Sequence, residues 1–317
     1  MRASRQTTRH AFMVRPRAFG PNEQTAGSNA FQQNSDMSPA EQQAHAVREF
    51  DAMTTALRVA GIEPIIFEDT DEPVKPDAIF PNNWISLHAD GRVFLYPMES
   101  EMRRRERRMD IVEALSSEHG FLVREIADLS HLEDEGHFLE GTGSMVLDRI
   151  NRIAYAALSS RTQMDALADF AQRADYEIAA FEARGDDGIP VYHTNVMMAL
   201  GNRFAILCAE AIVDADKRCT IIDKLAATGR DVIEISCQQM HSFAGNMLEL
   251  ENASGEPVIV MSRSAQESLT SKQRDSICAC GRPVSVDIPT IEHTGGGSVR
   301  CMLAEVFLPL QTGGRTA

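Results

Sequence analysis

The sequence predicts an α/β protein in which five hairpin-plus-helix units form a closed ring. Three observations predict it: a strand-initiating pattern that recurs along the chain, four hairpins each followed by a helical segment, and a last strand with no partner inside its own unit. The recurring segments are Asn83-Trp-Ile-Ser-Leu, Gly143-Ser-Met-Val-Leu, Asn195-Val-Met-Met-Ala-Leu, Asn246-Met-Leu-Glu-Leu and Ser298-Val-Arg-Cys-Met-Leu. Each sets a small or amide residue before an apolar strand, at intervals of about 50 to 60 residues, and such a period signals repeated supersecondary units.

The chain opens with a strand, Ala11 to Val14, and a helix signalled by Ser38, Pro39 and Glu41 and stopped near Gly61. Between them, Arg17 to Gln42 is rich in Gly, Pro, Asn and Gln and reads as a long loop or lid, because loops of that length are usually functional or disordered. Four hairpins follow, turning at Asp90-Gly91, Asp148 to Arg152, Gly201-Asn202 and Ser254-Gly255 before Val93, Ile153, Phe204 and Val258. Ser160 with Gln163 and Ser264 with Glu267 fit capping boxes at helix starts, and Gly120, Gly229 and Gly281 are placed to end three helices. The fifth segment runs to Leu308 and a short polar tail without a returning strand. The N-terminal strand is therefore expected to pair with it, which closes the ring and removes exposed sheet edges. Pattern alone leaves an open α/β sheet with irregular hairpins as the alternative. No boundary divides the chain, so residues 1–317 are expected to form a single domain.

Bulk properties exclude several functions. A net charge of -15 argues against a nucleic-acid partner, since phosphate binding needs a basic surface. No apolar run approaches the roughly 20 residues of a membrane span. Met1 to His10 is polar and carries no signal-like apolar stretch, so the expected compartment is the cytoplasm and the six cysteines are expected to be reduced. Cys278 and Cys280 do not make a CxxC pair, and Cys208, Cys219 and Cys237 have no ligand-like His neighbours, so no zinc site is read. Arg103, Arg104, Arg105, Arg107 and Arg108 alternate with Glu99, Glu101, Glu106 and Asp110 and read as a solvated helix face.

In a ring of repeated units, residues at similar offsets converge near the axis. Glu140 lies three residues before Gly143, His193 two before Asn195, Asn83 is itself an anchor, and Cys301 lies three after Ser298. Cys301 follows Gly295-Gly296-Gly297, where a thiol could be reached without side-chain obstruction. His193 offers a proton near neutral pH. Glu140 is a carboxylate among apolar and small residues, and Asp77 is a candidate for gripping a substrate amine. Taken singly, a buried cysteine, a structural histidine, a solvated glutamate and a turn-capping aspartate are the competing readings. His137, His241 and His293 are read as structural.

Gly-Gly-Gly-Ser-Val-Arg-Cys301, His193 before an apolar strand, and Leu139-Glu140-Gly141 together resemble the pentein enzymes, the guanidino-group-modifying superfamily that includes arginine deiminase and dimethylargininase. The sequence is most similar to the citrulline-utilisation hydrolases at Met13-Val14-Arg15-Pro16, Asn22, Thr25, Asn29-Ala30-Phe31-Gln32, Pro81-Asn82-Asn83-Trp84 and Phe243-Ala244-Gly245-Asn246-Met247. The resemblance implies a five-bladed α/β propeller and a catalytic set of Cys301, His193 and Glu140. It implies thiolate attack on a guanidino or ureido carbon, with His193 protonating the leaving amine, Glu140 orienting a substrate N–H, and no metal or organic cofactor. Cys301 would need a nearby cation or His193 to hold it as thiolate.

Where arginine deiminases carry two aspartates, this sequence has Asn83 and Asn195. Amides offer both a donor and an acceptor and suit a neutral ureido group better than a guanidinium. The expected reaction is citrulline to ornithine, ammonia and carbon dioxide. Arginine deiminase or dimethylarginine hydrolase activity is the alternative, and a non-enzymatic pentein that binds a ribosomal subunit is a second. Arg15 is the expected binder of the substrate carboxylate. The expected partners are a small ureido or guanidino amino acid and, in a homo-oligomer, further copies of the chain, with neither nucleic acid nor membrane.

Overall fold

The computed structural model describes residues 5–311. The first four residues of the polar N-terminal stretch and the last six of the C-terminal tail lie outside that range. In chain order, β1 (Ala11–Arg15) leads through the long loop to α1 (Pro39–Val59) and β2 (Ile65–Glu68). A hairpin, β3 (Ile85–Leu87) and β4 (Arg92–Leu95), is followed by α2 (Glu101–Arg104), α3 (Met109–Ser117) and β5 (Glu125–Asp128). After α4 (Gly141–Ser144), the next unit has β6 (Val146–Asp148), β7 (Ile153–Leu158), α5 (Met164–Ala174) and β8 (Glu177–Glu182). The fourth has β9 (Met198–Leu200), β10 (Phe204–Leu207), α6 (Ala215–Ala227) and β11 (Asp231–Glu234). The last complete hairpin comes after α7 (Cys237–His241): β12 (Leu248–Glu251) and β13 (Pro257–Ser262), then α8 (Arg263–Ser268), α9 (Ser271–Cys280) and β14 (Arg282–Val286). A short β15 (Ala304–Glu305) ends the series.

These strands make five three-stranded sheets of one design, an antiparallel pair whose second strand pairs in parallel with a third beyond the helix. The fifth sheet takes its first strand from the other end of the chain: β15 lies antiparallel to β1, Ala11 opposite Glu305 and Phe12 opposite Ala304, and β1 runs parallel to β2. The partner that the last segment lacked is thus the N-terminal strand.

Central strands are apolar on both faces because each faces two sheets. Ala11 and Met13 pack with Leu248, Val258 and Val260 of the β12–β14 sheet, while Phe12 and Val14, pointing the other way, pack with Ile85, Val93 and Leu95. Phe94 in turn meets Leu147, Ala154 and Ala156, and Ile153 and Tyr155 share a cluster with Phe204, Ile206, Ile259 and Met261. The sheets therefore follow one another in sequence, the β12–β14 sheet packing against the one that contains β1. This is the α/β propeller-like arrangement, and among the described residues no helix is long and apolar enough to cross a membrane.

The four expected hairpin turns are present, with Gly91 at φ 91° and the side chain of Arg124 in the space its Cβ would occupy. Two expected capping boxes are not. Ser160 sits in a turn and α5 starts after Gln163, which makes no side-chain cap. Helix α8 is capped by Ser262, so Ser264 lies inside it and donates instead to Glu292 at 2.5 Å. Full boxes form at Ser38 with Glu41, where only a helix start was expected, and at Ser236 with Gln239 and Thr270 with Gln273. Spacing alone cannot choose between hydroxyls two residues apart, because packing of the helix decides where its first turn begins. Gly61, Gly120 and Gly229 follow helices with left-handed φ, but Gly281 is extended at φ -177° and is confined instead by the carbonyl of Pro257. The long loop ends at Ser38 rather than Gln42, and the expected strand from Ser298 is a turn as far as Met302, leaving Ala304–Glu305 as the strand and Val306 in a single bridge with Leu87.

Candidate active site

The turns that precede the first strands of the units carry the polar residues expected there. Asn83 ends the 3-10 turn Pro81–Asn83 before β3. Glu140 stands just before α4, His193 just before the turn Thr194–Val196, and Asn246 two residues before β12. Cys301 lies in the turn between the π-helical turn Ile291–Gly295 and β15. One pocket is lined by Asp77, Asn83, His193 and Cys301 together with the backbone of Gly295, Gly296 and Gly297.

Cys301 is buried, at 3% exposure, and two amides meet its sulfur. Asn195 Nδ2 and Asn246 Nδ2 each donate to Sγ at 3.4 Å. Asn246 is itself held by the Arg300 N–H, 3.0 Å from its Oδ1, and donates to the carbonyl of Asn195 at 2.9 Å. Two donors aimed at a sulfur suit its anionic form. Of the amides that anchor the repeats, Asn83 keeps a buried Nδ2 donor and Asn195 a buried Oδ1 acceptor without a partner among the described residues. Buried polar groups are nearly always paired, so such a couple marks a place for a ligand that supplies one acceptor and one donor.

His193 Nε2 is 2.9 Å from Glu140 Oε2, and both groups are buried. Burial alone would raise the Glu140 carboxyl, but Arg161, the His193 hydrogen bond and Arg103 outweigh it and hold it down to about 2. For His193 burial is the largest effect and lowers it to about 4, against the raising pull of Glu140. The imidazole is therefore neutral at pH 7, with Nε2–H donated to Glu140 and Nδ1 left as the basic nitrogen. Gly143 makes room for it: a Cβ there would lie 2.8 Å from Nδ1 and 2.2 Å from Asn83 Nδ2.

The structure departs from the sequence-based expectations at three residues. Glu140 lies behind His193, its carboxylate engaged by His193, Arg103 at 3.4 Å and Arg161 at 3.7 Å, instead of presenting itself to a substrate N–H. Arg15 is outside the pocket, locked to Asp51 by two 2.9 Å hydrogen bonds and to Glu68 at 3.6 Å. Arg103 is no solvated side chain: it is 3% exposed, lines the pocket, forms a bidentate pair with Glu106 and approaches Asp77 at 3.6 Å. Of the arginines in its run only Arg105 is exposed. Alternating charge reads the same whether a helix faces water or buries an i,i+3 pair. Asp77 lies in the pocket, as expected, and accepts from Asn22 at 2.8 Å.

The sequence reading also missed Arg161, Tyr192 and Asn246 as site residues. Asn246 was discoverable, since it anchors its repeat as Asn83 and Asn195 do. Arg161 had no such signal. It donates to Ser28 Oγ at 2.8 Å and to the Thr25 carbonyl at 3.2 Å, with its guanidinium 5.0 Å from the Tyr192 ring, so it joins the long loop to the Glu140 side of the pocket. The loop reaches the pocket through Thr25 and Asn29, and Asn29 Nδ2 donates to the carbonyl of Gly295 at 3.3 Å.

Solved structures share this fold at low sequence identity. The N-terminal domain of ArgZ, a cyanobacterial arginine dihydrolase, as a Cys-to-Ser variant bound to substrate, superposes with a TM-score of 0.70 at 17% identity, over 94% of this chain and 99% of that one. Unliganded AgrE gives 0.72 at 17% identity, over 95% of this chain and 39% of AgrE. A Cys-to-Ser variant of the dimethylargininase DDAH from Pseudomonas aeruginosa, complexed with citrulline, gives 0.63 at 14% identity, over 94% and 99%. The chain spans about two fifths of full-length ArgZ and AgrE, 41% and 39%. No curated protein matches the sequence. The sequence model of N,N dimethylarginine dimethylhydrolase, eukaryotic, matches residues 15–308. With nearly the whole chain inside that match and the fold of ArgZ and DDAH around the pocket, the protein belongs to the N,N dimethylarginine dimethylhydrolase family of the pentein superfamily.

Proposed function

We propose that the protein is a hydrolase of the ureido carbon of citrulline, forming ornithine, ammonia and carbon dioxide through a covalent adduct on Cys301. The observation that carries the reading is the unpaired couple in the buried site, the Asn83 Nδ2 donor and the Asn195 Oδ1 acceptor. A ureido group supplies a C=O for the first and an N–H for the second. A guanidinium has only donors and would leave Asn83 Nδ2 unanswered.

In this reading His193 Nδ1 takes the proton of the Cys301 thiol as the sulfur adds to the ureido carbon, whose oxygen takes the negative charge, and that proton is the one His193 then gives to the leaving amine. The adduct collapses with loss of one amine, protonated by His193, and leaves a carbonyl thioester-like adduct on Sγ. His193 Nδ1 then takes a proton from water, which adds to the same carbon and releases Sγ. The remaining carbamic acid breaks down to carbon dioxide and the second amine, so one water is consumed for one ornithine, one ammonia and one carbon dioxide. Glu140 holds the imidazole in the tautomer that this needs, and Asp77 and Arg103 meet the α-amino and α-carboxylate ends. The chain acts as one catalytic unit with the loop part of the 17–42 segment, up to Ser38, as its lid, and the reducing cytoplasm suits a thiol nucleophile.

A specific observation favours a second reading. Asp77 remains a carboxylate in the pocket, and an AgrE variant has been solved with L-arginine, which suits a guanidinium substrate such as arginine or dimethylarginine. Mass spectrometry of products from citrulline, arginine and dimethylarginine, with Cys301→Ala as control, separates the two. Ornithine from citrulline, lost in the variant, is the expected result, and citrulline formed from arginine or dimethylarginine would establish the second reading. Asn83→Asp combined with Asn195→Asp is expected to shift kcat/KM toward arginine by about tenfold or more, and an unchanged ratio would refute the amide argument.

A further inference from the structure

At the end of β10, two buried sulfurs and a carboxylate meet in an arrangement that the reaction does not use. Cys208 follows β10, Glu210 lies in the turn Ala209–Ala211, and Cys237 is the first residue of α7. Cys208 and Cys237 are buried and Glu210 is exposed, with one ligand atom from each lying within 4.8 Å of the others. The sulfurs are 3.8 Å apart. A disulfide would need about 2.05 Å. Two thiolates on a tetrahedral metal, with bonds of about 2.3 Å, are separated by about 3.8 Å. Glu210 Oε1 accepts the Cys237 N–H at 2.5 Å, and Oε2 has no hydrogen bond among the described residues.

We propose that Cys208, Cys237 and Glu210 form a binding site for a divalent cation of borderline softness, Zn²⁺ being the best match. Two thiolates and a carboxylate are an accepted donor set for that ion, and the fourth position opens to water on the exposed Glu210 side. On binding, each thiol releases its proton to solvent and two Zn–S bonds and one Zn–O bond form, with no change of oxidation state. His241, one turn along α7, lies beyond the site with Nδ1 3.8 Å from Asp186. The site clips the end of β10 to the start of α7. That helix runs directly into Phe243–Asn246, and Asn246 touches the sulfur of Cys301, so the ion would brace one wall of the catalytic pocket.

Cobalt(II) titration of the chelator-treated full chain tests this, on a Cys301→Ala background so that the pocket thiol contributes nothing. The expected result is one equivalent of Co²⁺ per chain, with thiolate-to-cobalt charge transfer and the visible bands of a tetrahedral ion, bleached by one equivalent of Zn²⁺. Cys237→Ser abolishes the charge transfer, and Glu210→Gln, at an exposed position that does not threaten folding, weakens binding about tenfold or more. Cys219→Ser and Cys278→Ser leave the spectrum unchanged. The proposal is overturned by the absence of stoichiometric binding, by a spectrum that survives Cys237→Ser, by one lost in Cys219→Ser or Cys278→Ser, by Glu210→Gln binding as tightly as its parent, or by a chain purified under reducing conditions with Cys208 and Cys237 joined as a disulfide.

Discussion

Glu140 is an ionised acid with no exposure to water, held there by two arginines and an imidazole. Its surroundings assign it to His193. Glu140→Gln keeps the shape but lets the imidazole turn to the wrong tautomer, and steady-state kinetics are expected to show kcat reduced about 10²- to 10⁴-fold with KM little changed. A parallel loss in KM alone would mean that the carboxylate binds substrate after all. Arg15 makes the opposite case. Its partners Asp51 and Glu68 are more than half exposed, so Arg15→Ala is expected to leave KM within about twofold and to cost at most about 1 kcal/mol in a urea melt. Cys301, His193 and Glu140 were legible as neighbours because each lies within three residues of a repeat anchor. Arg103 and Arg161 were not, because their environment is made by segments far away in sequence: Glu140 and Phe80 for one, Thr25 and Ser28 for the other.

At the scale of elements, the capping chemistry separates hydroxyls that sequence spacing treats alike. Ser38 caps α1 in a reciprocal box with Glu41, whereas Ser160 occupies a turn ahead of α5. Thermal melts are expected to show Ser38→Ala destabilised by about 1 kcal/mol and Ser160→Ala nearly unchanged; equal losses would contradict the assignment of the caps. Hairpins were legible from their turn residues, since a two-strand reversal with Gly91 or Gly255 at its corner is local chemistry. The short β15 was not. Val299 to Met302 look like strand residues but turn instead, in a segment where Cys301 N–H bonds the Ser298 carbonyl and Arg300 N–H bonds Asn246.

The molecule as a whole stores a pH dependence in its buried groups. His193 is lowered to about 4 in the fold but would titrate near 6.5 when unfolded, so between those values the unfolded chain binds more proton and stability falls as pH drops. Glu140, held at about 2, adds a loss of the same sign below about 4.5. Glu106, raised to about 8 by burial against the pull of Arg103, acts in the opposite sense as pH rises. Comparing the native protein with His193→Gln cancels it: from pH 7 to 4.5 the melting temperature of the native protein is expected to fall more steeply. Parallel curves would show that His193 is not neutral in the fold.

The repeat, its hairpins and the gathering of polar residues beside the repeat anchors were set by the sequence alone, because each depends on a few neighbouring residues and on a period that folding preserves. Tertiary structure decided the rest. It paired β1 with β15, buried Arg103 while leaving Arg105 in water, turned Glu140 toward His193, and brought Cys208 to Cys237 across 29 positions. Those outcomes depend on which distant segments share the low-dielectric interior with a charge or a thiol, and no local pattern records that company.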